Sequence, residues 1–373
     1  MTARLLLRLA VALTLVVLAA PRVSEAAEAA KSLPRLKVAE NKRFLADESG
    51  RPFFWLADTA WQLLHDLGAD EQQRYFADRR QKGFNVVQTV ILVELRGDRP
   101  NAFGHQPIEP RRPDRPIVRP GADDDYWDDI ARSLALAEKH GIYLALLPTW
   151  GKNVTSNWQN GLVDGFFTVE NAEAYGRFLG SRFKDHANIV WVLGGDRAAP
   201  TDPARAIWRS LARGIVLGLC GREDYSAALM TYHTSGPGST AWFLNNEAWM
   251  DFHGLQSGHG RWAMNWIWVE HAYSMKPVMP VIDLETSYPE FRHGRPPTTT
   301  PGAPAIGPCL PGRQAIRTGI TAFGRCTPRS IREWPTRSDT GSMPSTLQAP
   351  DRWATCGGCS SRGRSPPSGR RWN

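Results

Sequence analysis

The chain of 373 residues has almost no cysteine where a fold could use it: Cys220 stands alone in the first 290 positions, and Cys309, Cys326, Cys356 and Cys359 follow later. A main domain stapled by its own disulfides is thereby excluded. The CGGC at Cys356 to Cys359 lacks the second ligand pair that a structural zinc site requires. Long apolar runs are scarce too. Beyond the N-terminal segment none reaches the roughly eighteen apolar residues that cross a bilayer, so no stable membrane association is expected. No G-x-G-x-x-G follows the first strand-like run, which removes the dinucleotide fingerprint. No H-x-x-x-H or clustered Asp/His spacing offers a metal site, so neither metal nor cofactor is expected.

An excess of positive charge is present but is confined to the tail. From Phe291 onward thirteen arginines face Glu333, Asp339 and Asp351, which accounts for +10 and leaves about −2 of the formal +8 for everything before. The foldable part is therefore not a basic nucleic-acid binder. At the other end, Arg4 and Arg8 precede an apolar core from Leu9 to Ala19 and small residues around Ala26. That order reads as a secretory signal peptide over residues 1–26, and predicts a secreted or periplasmic protein.

Between these ends, short apolar runs alternate with amphipathic ones. Strands are expected at Pro52 to Asp58, Phe84 to Leu92, Ile142 to Trp150, from Asn188, Ala227 to His233, Asp251 to His259, and Pro277 to Glu285. Helices are expected at Ala69 to Phe84, Asp123 to His140, Val169 to Lys184, Pro203 to Leu217, and near Trp266 to Tyr273, with Gly83 and Gly141 as stops. Seven β-then-α units over about 250 residues fit a (β/α)8 TIM barrel truncated after strand 7, spanning residues 36–290, better than a doubly wound sheet.

In such a barrel the reactive groups sit where strands end, because the loops there form the open face. This reading places Asp58 and Trp61 after the first strand, Glu94 after the second, Trp150 after the third, and Asp196 and Arg197 after the fourth. His233 follows the fifth, Gln256 and His259 the sixth, Asp283 and Glu285 the seventh. Carboxylates on strands four and seven face each other across the mouth, as a two-carboxylate glycosidase requires, so Asp196 and Glu285 are the catalytic pair expected. The other nine form the expected substrate-binding set. Trp61, Trp150 and Trp158 can stack on the C–H faces of sugars, or pack the core and rim. Gly194 and Gly195 admit the close approach of a substrate or of a neighbouring strand. Structural alternatives stand beside several of these roles: Asp196 and Arg197 as an ion pair, Asp58 as a helix cap, His233 and His259 as hydrogen-bonded framework.

The stretches WLADTAWQLLHDL, KGFNVVQTVIL, LLPTWG, ENAEAYGRFLGSRFKDHANIVWVLGGDR, MTYH and QSGHGR, in that order from about Arg43 to Glu285, resemble the apiosidase-like glycoside hydrolases, formerly a domain of unknown function. The resemblance implies a (β/α)8 barrel that hydrolyses glycosidic bonds in pectic side chains of the plant cell wall, with an oligo- or polysaccharide as partner. It implies an acid/base aspartate in the GGD motif, here Asp196, and a nucleophilic glutamate closing the seventh strand, here Glu285. The chain departs from the family pattern at Ala57, at Phe103, and in DLETSYPE around Glu285.

From about Phe291 the periodicity ends, and no lysine, valine or tyrosine occurs. Composition alone reads as a disordered linker. Back-translated with GC-rich codons and shifted by two nucleotides, Gly319 to Ser330 can give HHGIRPMYAPQ. Glu333 to Trp353 can likewise give VAHPIRHWFDALDVAGAGSM, strings that look like the family's eighth strand and last helix. A frameshift near residue 291 is the expectation, and with it a barrel whose first and seventh strands keep open edges and whose activity is impaired.

Overall fold

The structure, a computed structural model, describes residues 32–93, 99–121, 124–158, 160–258, 265–286 and 320–322. All lie within one compact unit, Met1–Arg325; the expected signal segment and nearly all of the tail fall outside them. No helix among the described residues is long and apolar enough to cross a membrane.

A short hairpin opens the fold, β1 (Leu36–Val38) antiparallel to β2 (Leu45–Asp47). Then come β3 (Leu56–Thr59), α1 (Leu63–Asp66), α2 (Ala69–Gln81) and β4 (Val86–Leu92). A second hairpin, β5 (Ile108–Glu109) and β6 (Arg112–Pro116), precedes α3 (Tyr126–Lys139) and β7 (Tyr143–Thr149). The chain continues through α4 (Val169–Phe183), β8 (Ile189–Gly194), α5 (Asp202–Cys220) and β9 (Met230–His233). It goes on to β10 (Gly238–Ser239), β11 (His253–Gln256), α6 (Asn265–Ser274), β12 (Val281–Glu285) and β13 (Ile320–Ala322). All seven expected strands and five expected helices are present at the expected places; neither hairpin was anticipated, their strands being only two to five residues long.

Side-chain oxygens set the helix starts. Asp125 accepts from the N–H groups of Trp127 and Asp128 ahead of α3. Thr168 caps α4 in a reciprocal box with Asn171, and Thr201 caps α5.

The strands β3-β4-β7-β8-β9 form a curled parallel sheet of five. Both faces are covered: every residue of β4 and β7 is buried, as a parallel sheet under helices demands. Alternation sorts them into two cores. Ala57, Val86, Val90, Ala145, Leu147, Val190 and Val192 fill the concave side. Val87, Ile91, Leu144, Leu146, Trp191 and Leu193 pack outward against the helices.

Closure into a (β/α)8 barrel is not reached among the described residues. β11 and β12 pair in parallel in a separate sheet with antiparallel β10, and no ladder joins β9 to β11. Side chains have taken the groups that such a ladder would use. Asp251 Oδ2 accepts the Met230 N–H at 2.7 Å, and Thr231 Oγ1 donates to the Phe252 carbonyl at 2.6 Å. On the other side, Gln88 Nε2 reaches across the concave face to Thr59 Oγ1 at 3.1 Å and the Leu284 carbonyl at 2.6 Å, tying β4 to β12.

The expectation that the first strand keeps an open edge is corrected. Ile320–Ala322 lies antiparallel along β3, Ile320 opposite Asp58. An eighth barrel strand would run parallel. An unpaired edge accepts whatever extended segment can reach its N–H and C=O groups, in either direction.

Candidate active site

The GGD motif ends β8 in an unusual backbone. Gly194 and Gly195 have φ of +85° and +122°. A Cβ on Gly194 would stand 2.5 Å from the His233 carbonyl oxygen, and one on Gly195 would stand 2.9 Å from the Trp150 ring. Of the two approaches expected there, the neighbouring strand β9 supplies one: Gly195 N–H donates to the His233 carbonyl at 2.9 Å, and its own carbonyl accepts from Gly151 at 3.1 Å. Asp196 follows at φ +54°, a conformation costing about 1–2 kcal/mol for a residue with a Cβ.

That turn delivers the Asp196 side chain to the end of the sheet where Glu285 also arrives. Ile282 and Leu284 face the concave core, so strict alternation would send Glu285 outward with Asp283. The register against β11 shifts between Leu255 and Gln256, and Glu285 comes to stand opposite Gln256. His233 bridges the two carboxylate residues. Its Nδ1 accepts the Asp196 backbone N–H at 3.1 Å, and its Nε2 lies 3.2 Å from Glu285 Oε2, in ion-pair range though off the line of a well-directed hydrogen bond.

Burial pushes the Asp196 carboxyl up from 3.8 to about 6. Attraction from His233 works against that rise, the charge of Glu285 adds to it, and the Gln256 side-chain hydrogen bond and Arg197 pull it down. Asp196 can thus hold a proton near neutrality, as a general acid must. Arg197 is almost wholly buried. Its Nη1 donates to the Asp196 carbonyl at 2.8 Å and lies 3.7 Å from Asp196 Oδ2, and its Nε donates to the Ser156 carbonyl at 3.2 Å. The ion-pair reading of Asp196 and Arg197 is therefore compatible with the acid role expected of Asp196.

Aromatic rings wall this end. Trp61 stands edge-on to both Trp150, at 5.1 Å between centroids, and His233, at 5.2 Å. Trp150 is buried, and Trp61 is half-buried. Trp158 is 54% exposed with the Arg197 guanidinium 4.1 Å over one face, which leaves the other face open to a ring.

Two expected binding residues are placed elsewhere. Asp58 was expected at the mouth or as a cap; it is turned outward to α2 and fully buried. Its carboxylate accepts from Tyr75 Oη at 2.9 Å, Arg79 Nη1 at 2.8 Å and the Thr59 N–H at 2.9 Å. Strand alternation decides this, because Ala57 faces the concave core. For the same reason Asp283 stands on the face opposite Ile282 and Leu284, where Oδ1 accepts from the Ser257 N–H at 3.3 Å. Glu94 and His259 lie outside the described residues. Of the expected set, Asp196, Arg197, His233, Gln256, Glu285, Trp61 and Trp150 come together.

Gln88 was missed, although a lone amide in the run VVQTVIL was a visible signal. Asp251 was missed as well. It lines a cavity of about 380 Å³ at the opposite end of the sheet, beside Lys37, His186 and Ser226, where burial lifts its carboxyl to about 7. No group of three or more His, Cys, Asp or Glu among the described residues could hold a metal ion.

The sequence model of one family, described as "Apiosidase-like, catalytic domain", matches residues 39–303, a range that runs past Phe291. No curated protein matches the chain. Among solved structures it is similar to a glycoside hydrolase family 5 protein from Bacteroides vulgatus, at 32% identity and a TM-score of 0.58 over 68% of this chain and 53% of that one. It is also similar to a structure described as a glycoside hydrolase, at 33% identity and a TM-score of 0.58, over 68% of this chain and 57% of that one. The chain thus spans little more than half the length of these relatives. With a family match covering most of its length, the GGD turn and the paired carboxylates inside it, this chain belongs to the apiosidase-like catalytic-domain family.

Proposed function

We propose that the protein is an exported glycoside hydrolase acting on the side chains of pectic cell-wall polysaccharides by a two-carboxylate mechanism. Asp196 donates its proton to the glycosidic oxygen as the bond to the leaving group breaks, and Glu285 attacks the anomeric carbon from the other side. Water then releases the sugar, with Asp196 now acting as base. The observation that carries this reading is the pairing itself: an aspartate lifted to about 6 and a buried glutamate, both held against one imidazole. Trp61, Trp158 and Gln256 supply the stacking faces and the polar anchor that a sugar ring requires. Export follows from the N-terminal segment, and the pectic substrate from the family. A closed (β/α)8 barrel belongs to the same proposal, with its eighth strand in the shifted reading frame; the underlying DNA decides that point.

The missing ladder between β9 and β11 favours a second reading, a barrel that binds carbohydrate without cleaving it. Asp196→Asn and Glu285→Gln separate the two on apiosyl glycosides and pectic oligosaccharides. A hydrolase loses turnover in both variants and keeps binding. Binding by the unaltered chain with no turnover, in this chain and in a frame-restored one, would leave the binder standing.

A further inference from the structure

The two ring nitrogens of His233 face the two carboxylate residues, Nδ1 through a hydrogen bond and Nε2 within ion-pair distance. Nδ1 accepts the Asp196 N–H, so in this arrangement the neutral ring carries its proton on Nε2, the atom 3.2 Å from Glu285 Oε2. The ring is fixed in place. It is 1% exposed, edge-on to Trp61 at 88°, and tilted against Trp150 at 6.3 Å. The N–H that it receives belongs to a residue in the left-handed region, one step past Gly195, whose own N–H and carbonyl bond His233 and Gly151.

Resting on the assignment of Asp196 and Glu285 as acid and nucleophile, we infer that His233 is a positioning residue for both: Nδ1 holds the Asp196 backbone in the turn that aims its carboxyl, and Nε2–H orients Glu285 and keeps it ionised. This differs from a sugar ligand, because a ligand would present a nitrogen to the substrate. The charged groups that act on Glu285 include Asp196, two residues past the end of β8, and His233 on β9; Asp283, on β12 itself, is on the other face.

Two variants split the contacts. In His233→Asn the shorter amide can accept the Asp196 N–H but does not reach Glu285. Glu285 then loses the N–H dipole beside its charged form, and the acidic limb of kcat/KM moves to higher pH. In His233→Gln an N–H still reaches Glu285 while the Asp196 turn loses its acceptor. That limb stays in place, and kcat falls roughly 10²-fold at nearly unchanged KM. A merely structural histidine would lower the melting temperature of both variants and leave the limb where it was.

Nitrogen-15 NMR of the full chain supplies a readout independent of turnover. The expected ring has a protonated Nε2 whose resonance moves in Glu285→Gln. A proton on Nδ1, or an Nε2 indifferent to Glu285→Gln, overturns the inference. A protonated, Glu285-sensitive Nε2 in a frame-restored chain that cleaves no glycoside would overturn the hydrolase assignment instead.

Discussion

Asp196→Asn is expected to abolish turnover and, above pH 6, to make the protein more stable. The carboxyl binds its proton more tightly folded than unfolded, with the value raised from 3.8 to about 6 chiefly by burial. Its contribution to stability is therefore fully present below pH 3.8 and lost as pH rises through 6. A shift of this size corresponds to about 3 kcal/mol at most. The side chain is 17% exposed, so solvent screening removes only part of that, and a gap of about 2 kcal/mol remains. Asparagine has no charge to bury and can keep a hydrogen bond to Gln256. Urea unfolding of both proteins at pH 3.5 and 7.5, with the slope checked for constancy, measures the difference. The variant should gain about 2 kcal/mol relative to the parent between the two conditions. Parallel pH profiles, or a variant that is weaker at pH 7.5, would refute both the raised proton affinity and the acid role that depends on it. The same value places the alkaline limb of kcat/KM near pH 6, and Asp196→Asn cannot retain it.

Other perturbations separate framework from chemistry. Asp251→Asn, at the far end of the sheet, should raise stability as pH passes 7, since burial lifts that carboxyl too; turnover should not change, and altered kinetics would show that the cavity communicates with the carboxylates. Asp58→Ala leaves Arg79 buried with only Asp78 as its acidic partner, and should cost about 3 kcal/mol in urea unfolding with no effect on sugar affinity; a cost below about 1 kcal/mol together with lost binding would restore Asp58 to the site. Gly194→Ala combines a left-handed backbone with overlap on the His233 carbonyl and should lower stability by about 2–4 kcal/mol, measured by the urea midpoint; a neutral substitution would disprove the close approach of β8 and β9.

Period and punctuation made most of the fold legible. Runs such as VVQTVIL and YLALLPT, buried on both faces, could be only interior parallel strands, and the caps at Asp125, Thr168 and Thr201 fall where polar residues precede apolar periodicity. Strand ends likewise pointed to Asp196, His233, Gln256 and Glu285. The face on which an end residue lands is a different matter. Asp58 and Glu285 both close strands in sequence, yet one turns to Arg79 and the other to His233. A one-residue change of register reverses the face, and the register of β12 is set by a partner strand, not by its own composition.

The sequence by itself therefore determined the order of elements, the slightly acidic charge balance of everything before the tail and the presence of two carboxylates at strand ends. Only the tertiary structure decided which strands share a ladder, where Ile320–Ala322 pairs, and that a single imidazole stands between Asp196 and Glu285. Local propensity acts over a few neighbouring residues. His233 lies 37 positions from Asp196, and their contact exists because adjacent parallel strands set His233 opposite Gly194, two residues before Asp196.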